Sequence, residues 1–225
     1  MNPGDAEKEV FARLRGASRR SSPQHITAEL AALKSEHGAA LPEADLCEAL
    51  QHNLQRNGAS SAVAETRTGA VWEISRYITT KHGQRRIVTG HDPRLAALPW
   101  RDGGLLPRFD VAQNEDVVSV SYAQCAVAET GSLALLLDRN NPALNNLLVD
   151  DHLILVDRCD IHEKLESIWG QARLQNAGSR PRGMMMISGP SSTADIAMQL
   201  VLGAHGPRAL HVIIVGSAPP SSVSG

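Results

Sequence analysis

Apolar residues recur at helical spacing in the first third of the chain. From residue 85 onward they gather into short runs separated by turns. Residues 5–15, DAEKEVFARLR, form an amphipathic helix pattern with Val10, Phe11 and Leu14 on one face. GASRRSSP at 16–23 breaks it with small, basic and turn residues. Two helices are predicted over 24–36 (Leu30, Leu33) and 42–57 (Leu46, Leu50, Leu54), the second stopped by Asn57-Gly58. A strand at Ala62–Glu65 and a helix over 69–82 follow, with Val71, Trp72, Ile74 and Ile78 available for burial.

The second half predicts a strand at 85–90, a short helix in HDPRLAAL (91–98), and strands at 116–123, 125–128 and 132–137. HLILV at 152–156 reads as a buried strand. IHEKLESIWGQA, 161–172, reads as a helix with Leu165, Ile168 and Trp169 inward. Strands at 184–188 and 210–215 bracket a helix that starts at Ser191–Thr193 and stops at Gly203. Strands alternating with helices predict an α/β fold with a mainly parallel sheet flanked by helices. Three successive strands between 116 and 137 add antiparallel pairs, so the sheet is expected to be mixed. Residues 1–23 are expected to be an N-terminal helix and mobile linker, 24–215 one domain, and 216–225 a disordered tail.

Composition narrows the function classes. The 225 residues are 42% hydrophobic but only 3% aromatic, so the core is expected to be aliphatic and alanine-rich. A net charge of −2 gives no general attraction to nucleic acid. Arg19-Arg20 and Arg85-Arg86 are the only basic pairs of note, and the first reads as a solvated linker more readily than as a phosphate patch. No run approaches a membrane span, and the charged N-terminus has no apolar signal core. The cytoplasm is the expected location. Cys47, Cys125 and Cys159 are scattered, which suits a reducing compartment and makes no iron–sulfur spacing. The nine histidines show no metal-ligand spacing, so no metal and no cofactor is expected.

Two segments can carry chemistry. In AVAETGSLALLL (126–137), Glu129 interrupts an apolar run and is followed by Thr130 and Gly131. A carboxylate between buried strands can serve as nucleophile or general base; a solvated turn carboxylate is the structural alternative. In SGPSSTADIAMQLVLGAHGP (188–207), Ser191, Ser192 and Thr193 stand where a helix is expected to begin, and Ser192 with Asp195 has the form of a capping box. A helix start offers free N–H groups, so Ser188, Gly189, Pro190 and these hydroxyls can hold an anion. One hydroxyl suffices for a cap, so capping alone and ligand contact both stay open.

These two segments together resemble the lactate utilisation protein C family, also called the LutC/YkgG or LUD domain group. The resemblance rests on Ala128-Glu129-Thr130-Gly131, on Ser188 through Ile196, and on Gly203, His205-Gly206-Pro207 and Leu210-His211. It implies a fold similar to the NagB/RpiA/CoA-transferase-like group. It also implies a role in oxidising L-lactate to pyruvate beside iron–sulfur partner proteins. Two departures stand out: Ser192 where the family often has arginine, and the asparagine-rich DRNNPALNNLLVDD at 138–151. Two functions follow as expectations. One is an accessory subunit that binds the iron–sulfur partners and a small organic acid or nucleotide. The other is a stand-alone acyl-, CoA- or nucleotide-handling enzyme using Glu129, with Thr130, Gly131, the 188–193 turn, Asp195 and His205 against the ligand. A scaffold without ligand is the third.

Overall fold

Two strands explain the architecture. Asp151–Asp157 and Ala209–Val215 are nearly continuous apolar runs, buried along almost their whole length. A strand apolar on both sides needs cover on both faces, as in parallel α/β sheets. The computed structural model describes residues 8–13, 24, 45–168, 182–194 and 200–216. The chain divides into two units, residues 1–39 and 40–225. In the first, residues 8–13 are helical, with Val10 and Phe11 largely exposed. The expected helix at 24–36, the 16–23 linker and most of the tail lie outside the described residues.

The second unit is built on a six-stranded sheet. Its strands are β1 (Ser60–Ala64), β2 (Arg86–Thr89), β3 (Leu106–Phe109), β4 (Val118–Tyr122), β7 (Asp151–Asp157) and β12 (Ala209–Val215). They lie in the order β1-β12-β7-β4-β2-β3, every neighbouring pair parallel. The antiparallel pairs expected within this sheet form a separate one. That sheet has the order β8 (Ile161–His162), β5 (Cys125–Val127), β6 (Ser132–Leu137), β9 (Gly183–Ile187). Helix α1 (Leu46–Arg56) is capped by Asp45, whose carboxylate accepts from Cys47 N. Helix α2 (Arg67–His82) is capped by Thr66 and ends on Gly83 in the left-handed conformation. The four-residue α3 (Pro93–Ala96) starts on Asp92 with Pro93 in its first turn.

Residue alternation sorts the core into two layers. Leu153, Leu155, Ile213 and Val215 face Val71, Ile74 and Ile78 of α2. Ile154, Val156, Val212 and Ile214 face Leu50 and Leu54 of α1 and Ala126, Leu133 and Leu135 of the small sheet. Apart from Trp100 and Tyr122 in the first layer, the large buried residues are aliphatic, and many of the rest are alanine.

Four local expectations change. The helix over 192–202 is replaced by a hairpin of β10 (Ser192–Ala194) and β11 (Leu200–Leu202), paired antiparallel. The backbone of Ser191 is already committed: its N–H donates to Pro207 O and its carbonyl accepts from Gly203 N, each at 2.8 Å. Hydroxyl-rich and β-branched residues serve a strand edge as readily as a cap. Ile161–His162 is strand β8 rather than the start of a helix, and Leu165 is 39% exposed, while Ile168 is buried. Trp169 lies outside the described residues. Trp72 is 56% exposed, because the inward stripe of α2 is filled by Val71, Ile74 and Ile78. Finally, LPRF at 106–109 forms β3, unsignalled because Pro107 demotes it; at the sheet edge proline is tolerated.

The asparagine-rich segment has a structural task. It forms a 3₁₀ turn, Ala143–Asn146, lying on β4. Asn145 accepts from Ala112 N at 2.7 Å and donates to Asp110 O at 3.0 Å. Ser121 donates to Asn146 Oδ1 and so accepts from His152 Nε2, both at 2.9 Å. Burial holds the His152 imidazole down at about 3. A second histidine, His211, pairs with Ser60 Oγ at 2.8 Å and stacks on Tyr77, and burial lowers it to about 4.

Both histidines make stability fall in acid. Each titrates near 6.5 when unfolded, so the unfolded chain takes up protons first as pH drops below that value. Their contribution is complete above about pH 6.5 and declines toward about 4 for His211 and about 3 for His152. Urea denaturation from pH 7 to pH 4 is expected to show a falling unfolding free energy. His152→Gln is expected to flatten that slope even if it lowers stability at pH 7.

Candidate functional site

The Glu129 and Ser188 turns meet at the end of α1. Asn53 donates through Nδ2 to Ala128 O (2.8 Å) and Glu129 O (3.3 Å), and Asn57 donates to Thr130 O at 2.9 Å. Gly131 sits against this helix with φ +64°; a Cβ there would lie 2.8–2.9 Å from the backbone of Asn53 and Leu54. Thr130 Oγ1 donates to Ser132 Oγ at 2.7 Å, and Ser132 Oγ shares a hydrogen bond with Ser188 Oγ at 2.6 Å. Gly189 is equally tight, since a Cβ would come within 2.5 Å of Asn57 O. Glu129 is half-buried, and its backbone N–H donates to Glu163 O at 3.1 Å. Thr130, Ser188, Ser192 and His205 are exposed, while Gly189, Pro190 and Ser191 are half-buried.

The small sheet sets where this junction lies. Ser188 follows β9 of the small sheet, and α1 runs into the amino end of β1. Ser191 bonds Pro207, just before β12 begins. The two turns therefore lie by the amino ends of the parallel strands, not the carboxyl ends where open α/β sheets hold ligands. No helix starts at Ser191–Thr193, so the helix-start route to anion binding has no helix to act through. Asp195 lies outside the described residues, and of Thr193 only its place in β10 is described.

The carboxyl ends carry a different arrangement. From β2 the chain moves outward to β3, on one side. From β4 it passes through β5 and β6 and re-enters the main sheet as β7, on the other side. Loops leaving adjacent strands in opposite directions open a crevice between them, the usual ligand position in such sheets. A cavity of about 170 Å³ lies here, lined by Asp92, Arg94, Tyr122, Gln124, Asp138 and Asn141 among others. Arg94 is fixed on several sides. Its Nη2 donates to Asp92 Oδ2 at 2.8 Å, its Nε to Asp92 Oδ1 at 3.2 Å and its Nη1 to Ala123 O at 3.1 Å. The guanidinium lies 4.2 Å from the centroid of the Tyr122 ring. Tyr122 donates to Asp157 Oδ1 at 2.6 Å, and burial together with that acceptor raises its phenol well above the usual range.

Sequence reasoning passed over this crevice. Its signal was an Asp-Pro-Arg two residues after the strand RIVT, which reads only as a capped short helix until the sheet order is known. Glu129 is at the far end of the β5–β6 hairpin, roughly 10 Å along the strands from Gln124. Burial raises the thiol of Cys47 and pushes that of Cys125 up to about 11, so both act as packing groups. Among the described residues no group of three or more His, Cys, Asp or Glu is placed to hold a metal ion. Among them, too, no helix is long and apolar enough to cross a membrane.

Fold and crevice define an α/β protein with a six-stranded parallel sheet, a subsidiary four-stranded sheet and a cleft at the strand carboxyl ends. The LUD domain model matches residues 25–215, and the chain belongs to the LUD domain family. Lactate utilization protein C of Macrococcus caseolyticus is 25% identical over 187 residues, 77% of this chain and 80% of that protein. The protein of the same name from Bacillus pumilus is 25% identical over 80% of this chain and 82% of its own length. An uncharacterized protein of Neisseria meningitidis is 35% identical over 61% of this chain and 58% of its own. The crystal structure of a DUF162 family protein from Deinococcus radiodurans shares the fold, with TM-score 0.55 and 17% identity over 76% of this chain and 96% of that one.

The tight seat of Gly131 gives a direct check. Gly83 has nearly the same φ, +61°, but open space where a Cβ would go. Gly83→Ala is expected to cost about 1 kcal/mol of backbone strain alone. Gly131→Ala adds a steric collision with α1, and its unfolding midpoint in urea is expected to fall further by an amount worth at least ~1 kcal/mol.

Proposed function

We propose that the chain is a lactate utilisation protein C-like component. In this role it supports oxidation of L-lactate to pyruvate in the cytoplasm, together with iron–sulfur partner proteins. One observation carries the reading: relatives named lactate utilization protein C align with about four-fifths of this chain and of their own lengths. The chemistry of the chain agrees with a supporting role. Cys47 and Cys125 are enclosed in separate core clusters, where burial disfavours the thiolate that a metal centre requires. Cys159 is exposed and lies in neither cluster, so in this reading electron transfer belongs to the partner proteins.

A second reading rests on the junction of the Glu129 and Ser188 turns through the 2.6 Å Ser132–Ser188 hydrogen bond. In it, Glu129 acts as nucleophile or base on an acyl, CoA or nucleotide substrate. Thr130, Gly131, Ser188, Gly189, Pro190, Ser191, Ser192, Thr193, Asp195 and His205 contact the ligand.

Deleting the coding sequence in its host is expected to abolish growth on L-lactate and leave growth on pyruvate unchanged. Affinity purification of the tagged chain from lactate-grown cells is expected to recover iron–sulfur proteins. Unimpaired growth on L-lactate without the chain would overturn the first reading. A complementing Glu129→Gln chain is expected to restore growth; failure of this isosteric variant alone, with normal folding, would favour the second reading.

A further inference from the structure

The crevice between the carboxyl ends of β2 and β4 holds polar groups left without partners. The side-chain amides of Gln124, Asn140 and Asn141 make no hydrogen bond among the described residues, although all three line the cavity. The backbone around them is firmly held. Asp138 Oδ1 accepts from Asn140 N at 2.7 Å and Asn141 N at 2.9 Å, and Asn140 O accepts from His91 N at 2.7 Å. Gln124 N donates to Ala134 O, also at 2.7 Å. The loops are thus fixed while their amide heads remain available, which lowers the ordering cost of binding. Gly90 closes the other side, where any Cβ would fall 2.0 Å from Asn140 O.

The charges decide the class of ligand. Arg94 spends Nε and one Nη2 hydrogen on Asp92, the second Nη2 hydrogen on Tyr122 O at 3.5 Å and one Nη1 hydrogen on Ala123 O, which leaves one free donor. The Arg94–Asp92 pair is neutral as a unit, and Asp138 adds a negative charge with Oδ2 uncommitted. A lone carboxylate or phosphate would meet that excess charge, because Arg94, the cation among the residues lining the cavity, is already paired with Asp92. Hydroxyl groups suit the site better. Each can donate to Asp138 Oδ2 or an amide oxygen while accepting from an amide N–H or the free Arg94 N–H. A volume of about 170 Å³ accommodates a molecule of pentose size.

We propose that this crevice binds vicinal hydroxyl groups of a small uncharged polyol unit, either a free sugar or the ribose of a nucleoside. The site is distinct from the Glu129–Ser188 junction and stands whether or not the chain serves lactate utilisation.

The test is ligand-observed NMR with isothermal titration on the full chain, using D-ribose, adenosine, L-lactate and inorganic phosphate as probes. Saturable binding of D-ribose is expected, with L-lactate and phosphate at least tenfold weaker. Tighter binding of adenosine than of D-ribose would identify a nucleoside as the source of the ribose; equal or weaker binding would identify a free sugar. Gln124→Ala with Asn141→Ala removes two amide heads that support nothing else among the described residues, so the fold, read by its urea midpoint, is expected to hold. Ribose affinity is expected to drop at least tenfold in that variant. Two results overturn the proposal: no saturable binding of ribose or adenosine, or ribose binding that the double variant leaves unchanged.

Discussion

Everything in the second unit depends on burying β7 and β12 from both sides. Each strand sends alternate aliphatic residues into two separate layers, so its burial needs both α2 and α1 with the small sheet. At about 25 cal/mol per Å² of apolar surface removed from water, this double burial is the dominant stabilising term available to the chain. It also explains the scarcity of aromatic residues. Close helix-on-sheet packing is met here by Leu, Ile, Val and Ala, with Trp100 and Tyr122 the buried rings of the first layer and Trp72 left exposed.

That same constraint governs what could be read from sequence. HLILV and LHVIIV announce themselves, because a strand covered on both faces must be apolar throughout. The helices at 46–56 and 67–82 were legible from spacing and caps. The segment after Ser191 was not, since its hydroxyls and alternating small residues satisfy the rules for a helix cap and for an edge hairpin alike. Only the long-range bonds to Pro207 and Gly203 decide between them, and no local rule contains those. β3 was hidden for a similar reason: its place at the sheet edge, unknown in advance, is what makes Pro107 acceptable.

The candidate sites divide along the same line. The motif-bearing turns at Glu129 and Ser188 do come together, yet much of what is particular about them serves packing: Gly131 and Gly189 against α1, and Asn53 and Asn57 bonded to the carbonyls of the first turn. The cleft at the strand carboxyl ends has no motif at all. It arises from sheet order, with Asp92-Arg94 from one loop and Tyr122-Gln124 from another. Motif and cleft are separated because the β5–β6 hairpin spans the small sheet and carries Glu129 to the opposite end.

The edge strand β3 has a further effect. Leu106 N–H points inward, to Arg85 O, and the direction of successive amides alternates along a strand. The nitrogen of Pro107 therefore faces outward, where an incoming chain would seek a hydrogen-bond donor and find none. Pairing of a visiting strand with this border is one donor short at its second residue, which makes β3 a poorer template for edge-to-edge association.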